Sequence, residues 1–122
     1  MKRLWLLAVP LALGFGLSAG SALAHHGWAW STGENVKLTG TITSVKLGNP
    51  HGHVMMDVDG ESWDMVVGQP WRNQRAGLKD GDIAEGVEMT VDGEPSADGA
   101  KLLKVERLWI NDKEYTLYPD RL

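Results

Sequence analysis

The sequence predicts an all-β fold, a small barrel of five or six strands with one short helix between the third and fourth strands. Apolar residues alternate with polar ones in several short segments, which is the pattern of half-buried strands. Dipeptides typical of tight turns, such as Asp59-Gly60, separate these segments. One segment, 69–77, has the boundary residues of a helix instead.

The first predicted strand covers residues 36–47. Its apolar residues stand at even positions up to Ile42 and at odd positions from Val45 onward. Because a strand places alternate side chains on opposite faces, this change predicts a bulge or sharp bend near 43–44. Gly40 marks a place where the backbone bends or is closely approached.

Two further strands flank the Asp59-Gly60 dipeptide, a strong signal for a two-residue hairpin. Before it, after a turn at Asn49-Pro50, apolar residues at the even positions of 54–58 predict the second strand. After it, apolar residues at the odd positions of 63–67 predict the third.

The helical segment lies between Pro70, which suits a first helical position, and Gly77, which suits the position past a helix end. These two residues predict a helix of about two turns. We expect Trp71 to attach it to the barrel. Arg72 and Arg75 fall on one helix face and are expected to pair with nearby carboxylates, with anion binding as the alternative.

Three more strands complete the predicted fold. Apolar residues at the odd positions of 87–91 predict the fourth strand, which Asp92-Gly93 closes. The fifth strand covers 102–110, and a short sixth carries Tyr115 and Leu117. This element order is that of the oligonucleotide/oligosaccharide-binding (OB) barrel, in which a helix covers one end. A half-open β-sandwich is the alternative.

The N-terminus has the three parts of a secretory signal peptide. Residues 1–3 are positively charged, residues 4–17 are apolar, and small side chains stand at Ala22 and Ala24. Signal peptidase needs small residues three positions and one position before the cut, so the predicted mature N-terminus is His25. Cleavage after Ala22 is the alternative.

The chain is therefore divided into a signal peptide, 1–24, an extended segment, 25–35, and a β-barrel domain, 36–122. We expect a periplasmic or secreted protein with no membrane span after cleavage, because a second apolar segment of spanning length is absent from the sequence. Cysteine is also absent, which excludes a disulfide scaffold, a Cys-ligated zinc module and a thiol enzyme.

Charge argues against one class of partner. Lys2 and Arg3 leave with the signal, which changes the formal net charge from −4 to about −6. Nucleic-acid binding rewards clustered Lys and Arg, so no nucleic-acid partner is expected. No nucleophile–base spacing, phosphate loop or HExxH motif is present either, so we expect a binding protein rather than an enzyme.

The histidines are candidate metal ligands: His25, His26, His51 and His53. A histidine at a mature N-terminus offers an α-amine and an imidazole from one residue, which suits Cu(II). His51 and His53 stand two apart at the start of the second strand and can offer two imidazoles to one ion. Nitrogen donors favour Cu(II), and Zn(II) less, over calcium or magnesium.

Two residues near these histidines are weaker candidates. Asp57 shares the strand face of His53 and either joins a metal site or is simply solvated. Met55 lies on the same face, and its thioether would suit Cu(I). The alternative for His51 and His53 is that both are solvent-exposed residues beside a turn.

Tryptophan is unusually frequent, and each residue needs a role. We expect Trp63 and Trp109, which lie in predicted strands, to pack in the core. Trp28 and Trp30 in the extended segment are expected to pack onto the barrel, and a stacking platform for a sugar or planar ligand is the alternative.

Several motifs together resemble a family of small exported bacterial proteins described only as a domain of unknown function. The motifs are Ala24-His25-His26, Gly40-Thr41-Ile42, Asn49-Pro50-His51, Asp57-Val58-Asp59-Gly60, Gly68-Gln69-Pro70-Trp71-Arg72-Asn73, Arg75-Ala76-Gly77-Leu78 and Tyr118-Pro119-Asp120. The resemblance implies export and a compact β domain, and it implies no activity. It includes His25, His26 and His51 but does not extend to His53.

Three functions stay open at this stage. The first is a periplasmic module that binds copper or zinc. The second is an OB-like barrel that binds a saccharide or a peptide. The third is a structural partner of an unknown protein, without any small ligand.

Overall fold

The computed structural model describes residues 29–122. The predicted signal peptide, His25, His26 and Trp28 lie outside the described residues. The elements in chain order are β1 Val36–Lys46, β2 Gly52–Val58, β3 Glu61–Val67, α1 Pro70–Arg75, β4 Glu88–Pro95, β5 Leu102–Ile110, β6 Lys113–Thr116 and a 3₁₀ helix at Pro119–Arg121. Along residues 29–122 no helix is both long enough and apolar enough to cross a membrane.

Strand pairing closes the sheet into a barrel. The strand order is β3-β2-β1-β4-β5-β6, and β3 also pairs in parallel with β5. The contact of β3 with β5 makes a closed ring of five strands, and β6 extends it as an extra antiparallel strand on β5. The predicted all-β, OB-like barrel is confirmed, and closure of the ring distinguishes it from the half-open sandwich.

β1 bends where its apolar pattern changes parity. Its pairing with β2 shifts register between Ile42 and Ser44, which is the predicted bulge. Gly40 lies where the backbone of β2 comes closest, because a Cβ there would clash with the carbonyl oxygen of Asp57. The bend lets β1 pair with β2 at one end and with β4 at the other.

The β2–β3 hairpin turns at the predicted dipeptide. Asp59 and Gly60 have φ angles of 51° and 85°, which is the left-handed pair that a type I′ turn requires. The Asp57 carboxylate accepts a hydrogen bond from the Gly60 N–H at 2.8 Å. This turn fixes the register that places His53 opposite Val66.

α1 begins with Pro70 at its first turn, and Gly77 follows it with a φ of 102°. The predicted start and end of the helix are therefore confirmed. The contact that orients the helix was not predicted: the buried Asn73 side chain accepts from the Gly68 N–H and donates to the Gly68 C=O, each at 3.0 Å. Both backbone groups of a buried glycine are thereby satisfied.

β4 does not end at Asp92-Gly93, as the sequence suggested, but continues to Pro95. The dipeptide lies opposite a bulge in β5 instead of forming a turn, because Asp92 pairs with Arg107 while Gly93 pairs with Val105. Glu106 is the extra residue on β5. Glycine is needed here because a Cβ on residue 93 would clash with the carbonyl oxygen of Lys104.

The inward-facing residues of the strands form one hydrophobic core, to which the segment after α1 adds Leu78 and Ile83. Its least exposed members are Ile42, Val54, Met56, Met65, Val67, Met89, Val91, Leu103, Val105, Leu108 and Leu117. A thioether side chain fills irregular space well, which fits the three methionines in this set.

A second buried layer lies outside the barrel wall and is polar. Its centre is Arg121, whose Nη2 donates to Glu94 at 3.0 Å and whose Nε donates to Glu106 at 3.3 Å. Glu94 and Glu106 are only 4% and 1% exposed. We use the name terminal clasp for the buried carboxylates and the residues that bond to them: Asp92, Glu94, Glu106, Arg121, Ser31, Asn35 and Arg107.

The described part of the extended N-terminal segment, residues 29–35, forms the other side of the terminal clasp, and we call these residues the lead-in. Ser31 donates a hydrogen bond to Glu94, and Asn35 donates to Glu106 and, at 3.1 Å, to Asp92. Arg107 closes the arrangement by donating to Asp92 at 2.8 Å. The buried carboxylates are thus bonded by both ends of the described chain.

Candidate functional site

His51 ends the β1–β2 loop, next to the first residue of β2, and is half-buried. Its Nδ1 is shielded from solvent and has no hydrogen-bond partner among residues 29–122. Burial, followed by the charges of Lys104, His53 and Arg72, lowers the pKa of His51. The neutral imidazole, which is the metal-binding form, is therefore favoured at neutral pH.

His53 lies on the outer face of β2, as the alternation with Val54 predicts. Its Nδ1 lies 3.0 and 3.1 Å from the two carboxylate oxygens of Asp64 on β3. A carboxylate on one ring nitrogen fixes the ring and leaves Nε2 for another partner. Metal-binding histidines commonly have this arrangement.

Two basic side chains, Arg72 and Lys104, lie close enough to His51 for their charges to act on it. The Arg72 guanidinium packs 4.1 Å from the Tyr118 ring centre and 4.6 Å from that of Trp71. One nitrogen of Arg72 donates to the Leu117 carbonyl at 3.0 Å, which holds α1 to the end of the chain. The Nζ of Lys104, a residue only 2% exposed, lies 5.4 Å from the Tyr118 ring.

Burial and the charge of Arg72 lower the pKa of Lys104 to about 8. Burial also raises the pKa of Tyr118, against the opposing effect of Arg72. At neutral pH Lys104 is thus mostly protonated, and mild alkali removes its charge. The surroundings of His51 therefore change from strongly cationic to less cationic over an accessible pH range.

The low pKa of Lys104 predicts an unusual stability profile. Between about pH 8 and 10.5 the unfolded chain binds the Lys104 proton and the folded chain does not, so stability rises with pH. From pH 8 to about 9.5 this lysine should add about 1.5 kcal/mol to the free energy of unfolding. Urea denaturation of the parent and Lys104→Met should show this gain in the parent alone, and parallel profiles would contradict it.

The two weaker candidate ligands, Asp57 and Met55, lie on β2 in different surroundings. Asp57 is occupied in the hairpin turn, where it accepts from Gly60. Met55 is half-buried on the outer face of β2, across the ladder from Asp64. In the part of the chain that the structure describes, no three His, Cys, Asp or Glu residues converge as a ready metal site. A site at His51 and His53 thus needs ligands from outside residues 29–122.

Of the roles predicted for three tryptophans, one is confirmed and two are wrong. Trp63 packs against the core as expected. Trp109 does not, because its ring lies outside the barrel, with Lys37 at 4.3 Å and Arg107 at 5.1 Å. Trp71 is 49% exposed and does not attach α1 to the barrel. Its neighbour Arg72 makes that contact through Leu117 and Tyr118.

The pairing expected for the helix arginines is also wrong. Neither Arg72 nor Arg75 forms an ion pair with any carboxylate of residues 29–122. Trp30 is half-buried, and its carbonyl accepts from the Ala97 N–H at 2.8 Å. The lead-in thus bonds to the β4–β5 loop through its backbone.

Two neighbours of the candidate site, Asp64 and Lys104, were not predicted from the sequence. Counting outward from the hairpin turn puts Asp64 opposite Met55 and beside His53, so its role could have been found from register alone. Lys104 gave no such signal, because its outer-face position in β5 resembles that of any solvated lysine. It is buried by residues distant in sequence, such as Tyr118.

Comparison with known proteins adds a family and a partial fold likeness. The model of a family of unknown function, DUF6152, matches residues 15–103. A search of curated proteins finds no match. Among solved structures, the ZRD-deleted mutant of TiaS with agmatine has 17% identity and a TM-score of 0.47, and covers 63% of this chain and 21% of its own.

A second similar structure is a complex of TiaS with tRNA and ATP, with 16% identity and a TM-score of 0.49. It covers 63% of this chain and 18% of TiaS. This chain therefore spans only about a fifth of the length of TiaS. The ligands in those structures belong to TiaS.

Proposed function

Because the chain belongs to DUF6152, a family of unknown function, its activity must be argued from its own residues. We propose that it is an exported, non-enzymatic binding protein that holds Cu(II). The ligands are the amine and imidazole of a mature N-terminal His25, the imidazole of His51, and His26 or His53. Zn(II) is the less favoured metal.

The observation that carries the proposal is the His53–Asp64 contact. The carboxylate lies 3.0 Å from Nδ1, which orients the ring and leaves Nε2 as the nitrogen that can bind a metal. His51 is held neutral beside it by burial and by nearby positive charge. One histidine with a fixed ring and one whose neutral form is favoured therefore lie two residues apart at the start of β2.

Chain length allows the N-terminal histidines to reach this end. The Ser31 side chain is hydrogen-bonded to Glu94 on β4. Across the sheet, Glu94 is the strand partner of Lys104 on β5, Lys104 that of Val66 on β3, and Val66 that of His53 on β2. Three strand spacings separate Glu94 from His53, or about 14 Å along the sheet. The six residue spacings between His25 and Ser31 can span about 20 Å.

Copper is favoured because the donors are nitrogens and include an amine. Among divalent first-row metals Cu²⁺ binds such sites most tightly, and a chelate from one residue suits its tetragonal geometry. The charges of Lys104 and Arg72 oppose a cation, and Asp64 offsets part of that repulsion. Replacing Lys104 by methionine should therefore strengthen copper binding.

The deciding experiment is a calorimetric Cu(II) titration of the mature protein, after mass spectrometry has established that it starts at His25. His25→Ala and His51→Ala should each bind more than tenfold more weakly, and Asp64→Asn about tenfold more weakly. Met55→Leu, beside the site but not a Cu(II) ligand, is the matched control. Affinity should fall as the pH is lowered, because the imidazole and amine ligands become protonated, and the lowered pKa of His51 places its part of that fall at a lower pH than for an ordinary histidine.

Two outcomes would overturn the copper proposal. One is equal affinity in the parent and the histidine variants, or binding no tighter than micromolar in the parent. The other is a mature protein that starts at Leu23 or retains Met1, because either start removes the chelating amine of His25.

A saccharide or peptide ligand is the alternative function. In OB barrels such ligands bind the β2–β3 face between the β1–β2 and β4–β5 loops. Here the β1–β2 loop carries His51, and Lys101 of the β4–β5 loop lies 5.2 Å from the Trp63 ring on β3. Saturable quenching of tryptophan fluorescence by a glycan, lost in Trp63→Leu, would favour this alternative. If neither copper nor glycan binds, an unknown protein partner is the remaining function.

A further inference from the structure

A polar cavity of about 280 Å³ lies between α1 and the C-terminal segment, apart from the barrel core. Its size is near the lower end of the range for small-molecule sites. Its lining residues are Arg72, Arg75, Ala76, Thr116, Leu117, Pro119 and Asp120. We propose that this cavity binds a phosphate group, either free or carried by a small organic molecule.

The two arginines of the cavity have most of their hydrogen-bond donors unused by the described part of the chain. A guanidinium has five N–H donors, and within residues 29–122 Arg72 donates only to the Leu117 carbonyl. Arg75 is exposed and forms no ion pair with the described carboxylates. Two permanent positive charges one helical turn apart thus line one cavity with most of their donors unused.

The Arg72 guanidinium is held in place before any anion binds. The Arg72 guanidinium packs against Tyr118 at 4.1 Å and Trp71 at 4.6 Å, and Leu117 fixes one of its nitrogens. A guanidinium that is already oriented loses less conformational freedom when it binds an anion. The helix-end dipole also attracts basic side chains, but it does not require both arginines to line a cavity.

Thr116, which belongs to β6 and not to α1, adds a further donor to the cavity. The Thr116 hydroxyl at the end of β6 forms no hydrogen bond with any other residue of 29–122, and it lines the same cavity. Donors from two directions suit an anion with several oxygens better than a planar carboxylate. The Asp120 carboxylate also lines the cavity and opposes an anion, which gives the test a variant of opposite sign.

The test is a titration of the metal-free mature protein with inorganic phosphate and with glycerol phosphate, by calorimetry and by NMR of the arginine Nε–H signals. Arg75→Gln, an exposed change that should not affect folding, is expected to weaken binding about tenfold. Thr116→Val should weaken it less, and Asp120→Asn should strengthen it several-fold. Lys79→Gln, on an exposed lysine outside this cavity, is the control.

Tighter binding of glycerol phosphate would identify a phosphomonoester ligand, and equal binding would identify the free ion. The proposal is overturned by an absence of saturable binding in the millimolar range. It is also overturned if Arg75→Gln and Lys79→Gln bind alike, or if acetate binds as tightly as phosphate. Because no histidine lines the cavity and the protein is metal-free, this test does not require that copper binds.

Discussion

Replacing Arg121 by alanine should lower the free energy of unfolding by about 3 kcal/mol or more. The guanidinium bonds to Glu94 and Glu106, which are 4% and 1% exposed, so its removal leaves two buried carboxylates without their shared cation. Asn35 and Ser31 still donate to them, but neither carries charge. A buried charge that loses its partner costs far more than a surface ion pair contributes.

Urea denaturation monitored by circular dichroism measures this loss. Arg75→Ala is the matched control, because that arginine is exposed and should change stability by less than about 0.5 kcal/mol. Arg121→Lys keeps the charge but loses the forked geometry, so it should fall between the two. An Arg121→Ala protein as stable as its parent would show that the terminal clasp contributes nothing.

Replacing Gly93 by alanine should cost about 3 kcal/mol, at the upper end of overpacking costs. The added Cβ would clash with the carbonyl oxygen of Lys104, a backbone atom that cannot move without opening the β4–β5 ladder. Flexible side chains can yield to a new methyl group, but a neighbouring strand cannot. If the β4–β5 ladder opened there, the bulge that places Glu106 outside the barrel would also be lost.

Gly48→Ala is the matched control, since a Cβ at that position meets nothing within 4 Å. It should stabilise the protein by about 0.5 kcal/mol through a less flexible unfolded chain. Thermal unfolding of both variants by calorimetry gives the comparison. If Gly93→Ala melted at the temperature of Gly48→Ala, close backbone packing at the bulge would be refuted.

Features set by neighbouring residues could be predicted from the sequence. The parity change in β1, the Asp59-Gly60 turn and the ends of α1 depend on local backbone preferences, and all are observed. The predicted end of β4 was wrong because Asp92-Gly93 suits both a turn and a strand position opposite a bulge. The choice between them depends on β5, whose backbone packs against Gly93.

The polar layer outside the barrel could not be predicted, because distant segments create it. Glu94, Lys104 and Glu106 look like solvated outer-face residues until the lead-in and the C-terminal segment cover them. The error at Trp71 has the same origin, since Arg72 finds its partners in Leu117 and Tyr118. The pairing of His53 with Asp64 could have been predicted from the sequence, because the register of the β2–β3 hairpin determines it.

The parallel contact between β3 and β5 has a consequence for synthesis of the chain. β3 pairs with β2 as soon as the hairpin emerges, but its other edge finds its partner only when Leu102–Lys104 have been made. Until then that edge presents unpaired N–H and C=O groups to other chains. We therefore expect the nascent protein to be most prone to aggregation just before β5 emerges, and closure of the ring to be its slow folding step.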